Sequence, residues 1–163
     1  MENLHSLLNE CKDLPDVFEV VKKAVEEFLC QRRAGLMLGL GDLPMSIAAF
    51  YVVASNIIVM NENLYYKVLE EYPDRINTWS FRVLLHEYLH SLGYQYESEV
   101  RKLVREISAS LLDRRDLSTE ITEFKLNYFP PSGRYRYQRS SHLSDFKIRL
   151  VKGFDRSSTR YID

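Results

Sequence analysis

His86 and His90 stand four residues apart with Glu87 directly after the first, in the segment HEYLHSLG that runs from His86 to Gly93. This spacing carries a condition on the fold. On a helix, residues i and i+4 lie one above the other about 6 Å apart, so two imidazoles there can turn their ring nitrogens onto one small cation. Zinc accepts nitrogen and carboxylate ligands at roughly 2.0–2.2 Å, and a catalytic zinc keeps one of its four positions for water. Glu87 points about 100° round the helix from His86. From there it can reach that water without binding the ion and serve as general base. With four His and fourteen Glu in 163 residues, the pattern arises by chance in roughly 0.8% of such chains. The blander reading is a pair of half-buried helix histidines beside a surface glutamate.

The neighbouring sequence meets the helical condition. Asn77 or Thr78 can cap a helix whose apolar contacts come from Trp79, Val83, Leu84, Tyr88 and Leu92, and Gly93 can close it in the left-handed conformation. Upstream, Asp16 to Arg33 carries Val17, Val20, Val21, Ala24, Val25, Phe28 and Leu29 at spacings of three and four. That periodicity predicts a helix covering a sheet, with Arg32 and Arg33 where cations suit its C-terminus. Leu36–Leu40, Ile47–Ala54 and Asn56–Asn61 predict three strands. A short helix over Glu62–Tyr72 ends before Pro73. Past Gly93, Val100, Leu103, Val104, Ile107, Leu111 and Leu112 predict another long helix from Glu97 to Asp113.

The HEYLH helix, preceded by a helix and a small sheet and followed by a second helix with glutamates, resembles the zincin metallopeptidases and is most similar to compact gluzincin-like proteins. The resemblance covers Asp16 to Asp113 as architecture, and its sequence-specific part is His86, Glu87 and His90. It implies a metallopeptidase in which the two histidines bind Zn2+, Glu87 activates water and a third ligand lies downstream. The metzincin ligand position is Tyr96 here, a departure from that branch. Gluzincins take the ligand from a glutamate on the next helix, where Glu97, Glu99 and Glu106 compete. A rise of roughly 1.5 Å per residue puts Glu99 near the level of His90 and Glu106 about 10 Å farther. Glu99 is therefore the expected ligand. Glu106, on nearly the same face, is the alternative or an orienting partner, and Glu97 reads as an acid at the helix entrance. Zincins also offer an exposed sheet edge to an extended peptide. The segment IAAFYVVAS is the candidate for that edge, and reads equally as a core strand.

The expected class is α+β, with a three-stranded sheet packed on helices. Residues 1–116 form the zincin-like catalytic domain and 117–163 a basic C-terminal extension with strands at Glu120–Phe129 and Phe146–Val151. Hydrophobic residues at 45% and charged residues at 28% exclude disordered, collagen-like and membrane-spanning classes. Net charge is −1, but residues 131–163 hold eight Lys or Arg against three Asp. That extension is a candidate for restricting access to the cleft, for self-association, or for ion pairing with the acidic front of the chain. Its stretch RYRYQR, with Arg134, Arg136 and Arg139 around Tyr135 and Tyr137, supports a second expectation of another class: a non-catalytic zinc-containing module binding nucleic acid or protein. The leading expectation is a peptide or unfolded-protein substrate and neither a nucleic-acid nor a membrane partner. His5 and His142 read as surface histidines, and Cys11 and Cys30 as small buried hydrophobes. Two cysteines outside any CxxC pair, and an N-terminal stretch without a basic or apolar signal region, fit a cytoplasmic protein.

Overall fold

The apolar spacing that begins at Val17 forms a helix in the computed structural model of the chain, which describes residues 3–111 and 147–156. It is preceded by a short helix, α1 (Leu4–Glu10), which the sequence reading did not anticipate. Asn3 caps α1, and Leu4 and Leu8 are buried. Helix α2 runs Leu14–Leu29 and starts before Asp16, because Asp13 is the capping residue. The Asp13 carboxylate accepts the Asp16 N–H at 2.9 Å, and Asp16 in turn accepts the Lys12 N–H at 3.0 Å. Pro15 falls in the first turn, where no N–H is needed. The helix ends at Cys30 with a left-handed φ of 54°. Cys30 is therefore exposed, contrary to its reading as a buried hydrophobe, while Cys11 is half-buried and its thiol donates to the Leu7 carbonyl at 3.2 Å.

The sheet has four strands in the order β2-β3-β1-β4, one more than the three expected. β1 (Met37–Gly41) and β3 (Ile57–Asn61) pair in parallel, with Met37 opposite Ile57. β2 (Ala49–Tyr51) lies antiparallel to β3 at one edge, and β4 (Ile148–Leu150) antiparallel to β1 at the other. β2 is shorter than the expected Ile47–Ala54 because the chain turns at once: Ala54 takes φ 62° and Ser55 returns its N–H to the Val52 carbonyl. Alternation then sorts the faces. Leu38, Leu40, Ile58 and Met60 enter the main core with the helices, while Leu43, Ile47 and Val59 form a smaller cluster that Ile148 joins. Gly39 permits this, since a Cβ there would strike Ile148.

The fourth strand comes from the basic C-terminal extension, which also sends Phe154 into the main core, stacked 4.1 Å from Phe18. Its charges partly explain the asymmetry of the sequence: Arg149 pairs with Glu62 at 2.6 Å and Arg156 with Asp16 at 2.7 Å. The expected strand Glu120–Phe129, the RYRYQR stretch and His142 lie outside the described residues.

After β3 come α3 (Glu62–Glu71), a single 3-10 turn (Pro73–Arg75), α4 (Ile76–Ser91) and α5 (Glu97–Leu111). Neither expected cap of α4 is used. The 3-10 turn feeds the helix directly, and the Asn77 amide donates instead to the Leu8 and Cys11 carbonyls at 3.0 and 2.9 Å, satisfying acceptors at the end of α1. Residues Thr78 to Leu85 are buried without a break, so α4 is a central helix enclosed by its neighbours. Gly93, with φ 108°, closes it as expected. Among the described residues, no helix is long and apolar enough to cross a membrane.

Candidate metal centre

His86 and His90 occupy the last turn and a half of α4, and their Nε2 atoms lie 3.2 Å apart. Only three residues, Tyr94–Tyr96, separate Gly93 from α5, so the first residue of the new helix comes back level with His90. That residue is Glu97. Its carboxylate reaches His86 Nε2 at 3.0 Å with one oxygen and His90 Nε2 at 3.1 Å with the other. One ligand atom from each of these three side chains lies within 4.8 Å of the other two. Tetrahedral zinc with bonds near 2.05 Å requires neighbouring donors about 3.3 Å apart; the two imidazole nitrogens, 3.2 Å apart, match that spacing, while each carboxylate oxygen of Glu97 lies close to one imidazole.

The protonation pattern also suits a cation. His90 Nδ1 lies 2.8 Å from the Tyr94 carbonyl oxygen, which can only accept, so Nδ1 carries the proton. The neutral ring then turns an Nε2 lone pair toward the second imidazole and a carboxylate. Three convergent acceptors repel one another unless a positive charge lies between them. Burial disfavours the charged form of His90, but the Glu97 hydrogen bond, the nearby Glu87 charge and the Tyr94 carbonyl raise its pKa above the ordinary value. Burial also opposes the Glu97 carboxylate, yet hydrogen bonds from both imidazoles hold it well below the usual carboxylate range. Arg101, one turn along α5, adds a contact to Glu97 at 3.3 Å.

Glu87 is buried, with 7% exposure. Burial pushes its carboxyl up; His86 and His90 work against that rise, Glu97 adds to it, and a hydrogen bond from the Tyr51 backbone N–H works against it. That donor is an outward-facing group of the edge strand. Val52 N–H bonds the Ile57 carbonyl and Asn61 N–H the Ala48 carbonyl, so the backbone groups of Ala48, Phe50 and Val52 face β3 and those of Ala49 and Tyr51 face away. The IAAFYVVAS segment therefore contains a true sheet edge, and it lies over the helix that bears Glu87.

The expected third ligand, Glu99, is not in the cluster. It is exposed, as is Glu106, which pairs loosely with Lys102 at 3.8 Å. At 100° per residue Glu99 sits about 200° round α5 from Glu97. The apolar stripe could have revealed this: Val100, Val104 and Ile107 are the buried apolar positions, and Glu97 shares the face of Val100 and Val104 at i−3 and i−7 while Glu99 does not. Tyr51 carries no such signal, because its role is a backbone group brought in by strand pairing. The chain matches no protein-family model, no curated protein and no solved structure in the three comparisons made.

Proposed function

We propose that the chain is a zinc-dependent metallopeptidase of zincin type, similar to the gluzincins, with His86, His90 and Glu97 holding Zn2+ and Glu87 as general base. The convergence of two imidazole nitrogens and a carboxylate beside a buried glutamate carries this reading. Zinc held by such a set supplies a Lewis acid that polarises a peptide carbonyl and lowers the pKa of water. The chain's own residues do the rest. Glu87, held in a dry setting, takes a proton from the attacking water and delivers it to the leaving amine nitrogen. His90 is kept in the productive tautomer by Tyr94. The outward N–H and C=O of Ala49 offer an extended peptide backbone two hydrogen bonds, which give affinity with little preference for sequence. An unstructured peptide or protein segment is the substrate this edge suits.

The test is metal analysis of the full chain together with hydrolysis of an unstructured protein. Glu87→Gln should retain one zinc per chain and lose hydrolysis by about 10²–10⁴-fold, the usual worth of a general base. Equal rates for the two zinc-loaded proteins would defeat the proposal. No hydrolysis by either, with salt-dependent binding of nucleic acid or protein, would favour the binding module.

A further inference from the structure

Arg33 lies in the connector between α2 and β1, and its side chain is half-buried. Its guanidinium donates to three acceptors on two elements. One nitrogen bonds the Tyr51 hydroxyl at 3.1 Å and the Ser91 carbonyl at the C-terminus of α4, and the other bonds the Ser55 carbonyl in the β2–β3 turn at 2.7 Å. The Tyr51 hydroxyl donates in turn to the same Ser55 carbonyl at 2.7 Å, and the guanidinium carbon lies 5.6 Å from the Tyr51 ring centroid. The Arg33 backbone adds a further tie, its N–H donating to the Tyr88 hydroxyl at 2.8 Å.

These bonds join the edge hairpin to the end of α4, the helix that bears Glu87. The Ser91 carbonyl is among the last carbonyls of α4, which have no partner within the helix, and a cation there is favoured by the helix dipole. Tyr51 and Ser55 belong to the edge hairpin. Tyr51 also turns its backbone N–H away from β3, on a strand packed against the helix that bears Glu87, and a hydrogen bond from that N–H works against the rise of the Glu87 carboxyl. A planar fork of donors can span acceptors on both pieces at once, which a lysine ammonium cannot do in the same geometry.

We propose that Arg33 is a positioning residue for the general base. By fastening the β2–β3 hairpin to the end of α4, it holds the Tyr51 N–H on the Glu87 carboxylate. This rests on the reading of Glu87 as the base, while the physical contact at Tyr51 can be measured independently of turnover. The variants are Arg33→Lys, Arg33→Met and Tyr51→Phe in the full chain. The last removes the hydroxyl that Arg33 grips and keeps the backbone N–H.

With zinc loaded, kcat should fall about 10–100-fold in the Arg33 variants, the usual cost of losing a supporting partner. Tyr51→Phe should fall less, and KM and zinc content should stay near wild type. Amide hydrogen exchange at Tyr51 should quicken by about tenfold or more, while the amides of β1 keep their rates. Unchanged exchange at Tyr51 in all three variants would overturn the inference. So would quickening spread evenly over the chain, or a rise in KM with kcat intact. If Arg33→Met fails to fold, Arg33→Lys and Tyr51→Phe decide. A zinc-loaded wild type that cleaves nothing would defeat the proposed activity, and the exchange at Tyr51 would still judge the tie.

Discussion

A carboxylate at the first position of a helix can face the preceding loop, the solvent or the neighbouring helix, and at Glu97 the last of these prevails because its two oxygens meet two imidazoles at once. Zinc binding should therefore depend on Glu97 and ignore Glu99. Glu97→Gln should weaken zinc affinity by more than the roughly 10–100-fold typical of losing an outer-shell partner. Glu99→Gln should leave it unchanged in a competition titration against a chelator. The two cysteines also part at this scale. Burial, and then the negative charges of Asp16 and Asp13, raise the Cys11 thiol to about 11. The thiolate is the reactive form, so at pH 8 only about one Cys11 in a thousand is reactive. In the folded protein iodoacetamide should label exposed Cys30 first. Labelling of Cys11 should rise as pH climbs toward 11, and mass spectrometry of the alkylated chain reads both. Rapid labelling of Cys11 at pH 8 would contradict the burial argument.

Elements are joined here by side chains that finish one another's ends. Asn61, the last residue of β3, is completely buried and caps α3, accepting the Leu64 N–H at 3.2 Å through its side-chain oxygen. Its amide nitrogen donates to the Leu43, Pro44 and Ile47 carbonyls at 3.2, 3.1 and 2.9 Å. One side chain thus closes the β1–β2 loop and starts the helix. Asn61→Ala removes the cap and leaves buried carbonyls without a donor, so it should cost about 2–4 kcal/mol in urea unfolding. A loss below about 0.5 kcal/mol would mean that water replaces the amide freely. Arg33 follows the same principle. Its charge was expected to suit the C-terminus of α2, the nearest helix end in sequence, but Cys30 turns the chain away and the charge serves the end of α4 instead. The dipole argument was sound, and the partner was a matter of chain path. Periodicity located α2 and α5 because an amphipathic stripe repeats within a single element; caps and partners depend on what arrives from elsewhere.

At the level of the whole molecule, the C-terminal segment is locked to the N-terminal helices by a buried ion pair. Lys22 Nζ lies 2.8 Å from Asp155 Oδ1 with both side chains almost fully enclosed, and Asp155 also accepts the Leu36 N–H at 3.2 Å. Breaking a buried pair by removing one partner usually costs about 3–5 kcal/mol. Asp155→Asn should fall near the low end, because Glu19 still reaches Lys22 at 2.6 Å. The double change Lys22→Met with Asp155→Leu should recover part of the loss, read as the urea midpoint. A double variant as stable as wild type would show that the pair merely breaks even. The sequence alone determined the α+β class, the long helices and the stacking of His86 on His90, because each follows from a period within one stretch of chain. Which strand forms the edge above Glu87 and the recruitment of Ile148–Asp155 into the sheet and core were decided only by tertiary structure. Those features rest on contacts between residues far apart in the chain, whose angles and distances no local period encodes.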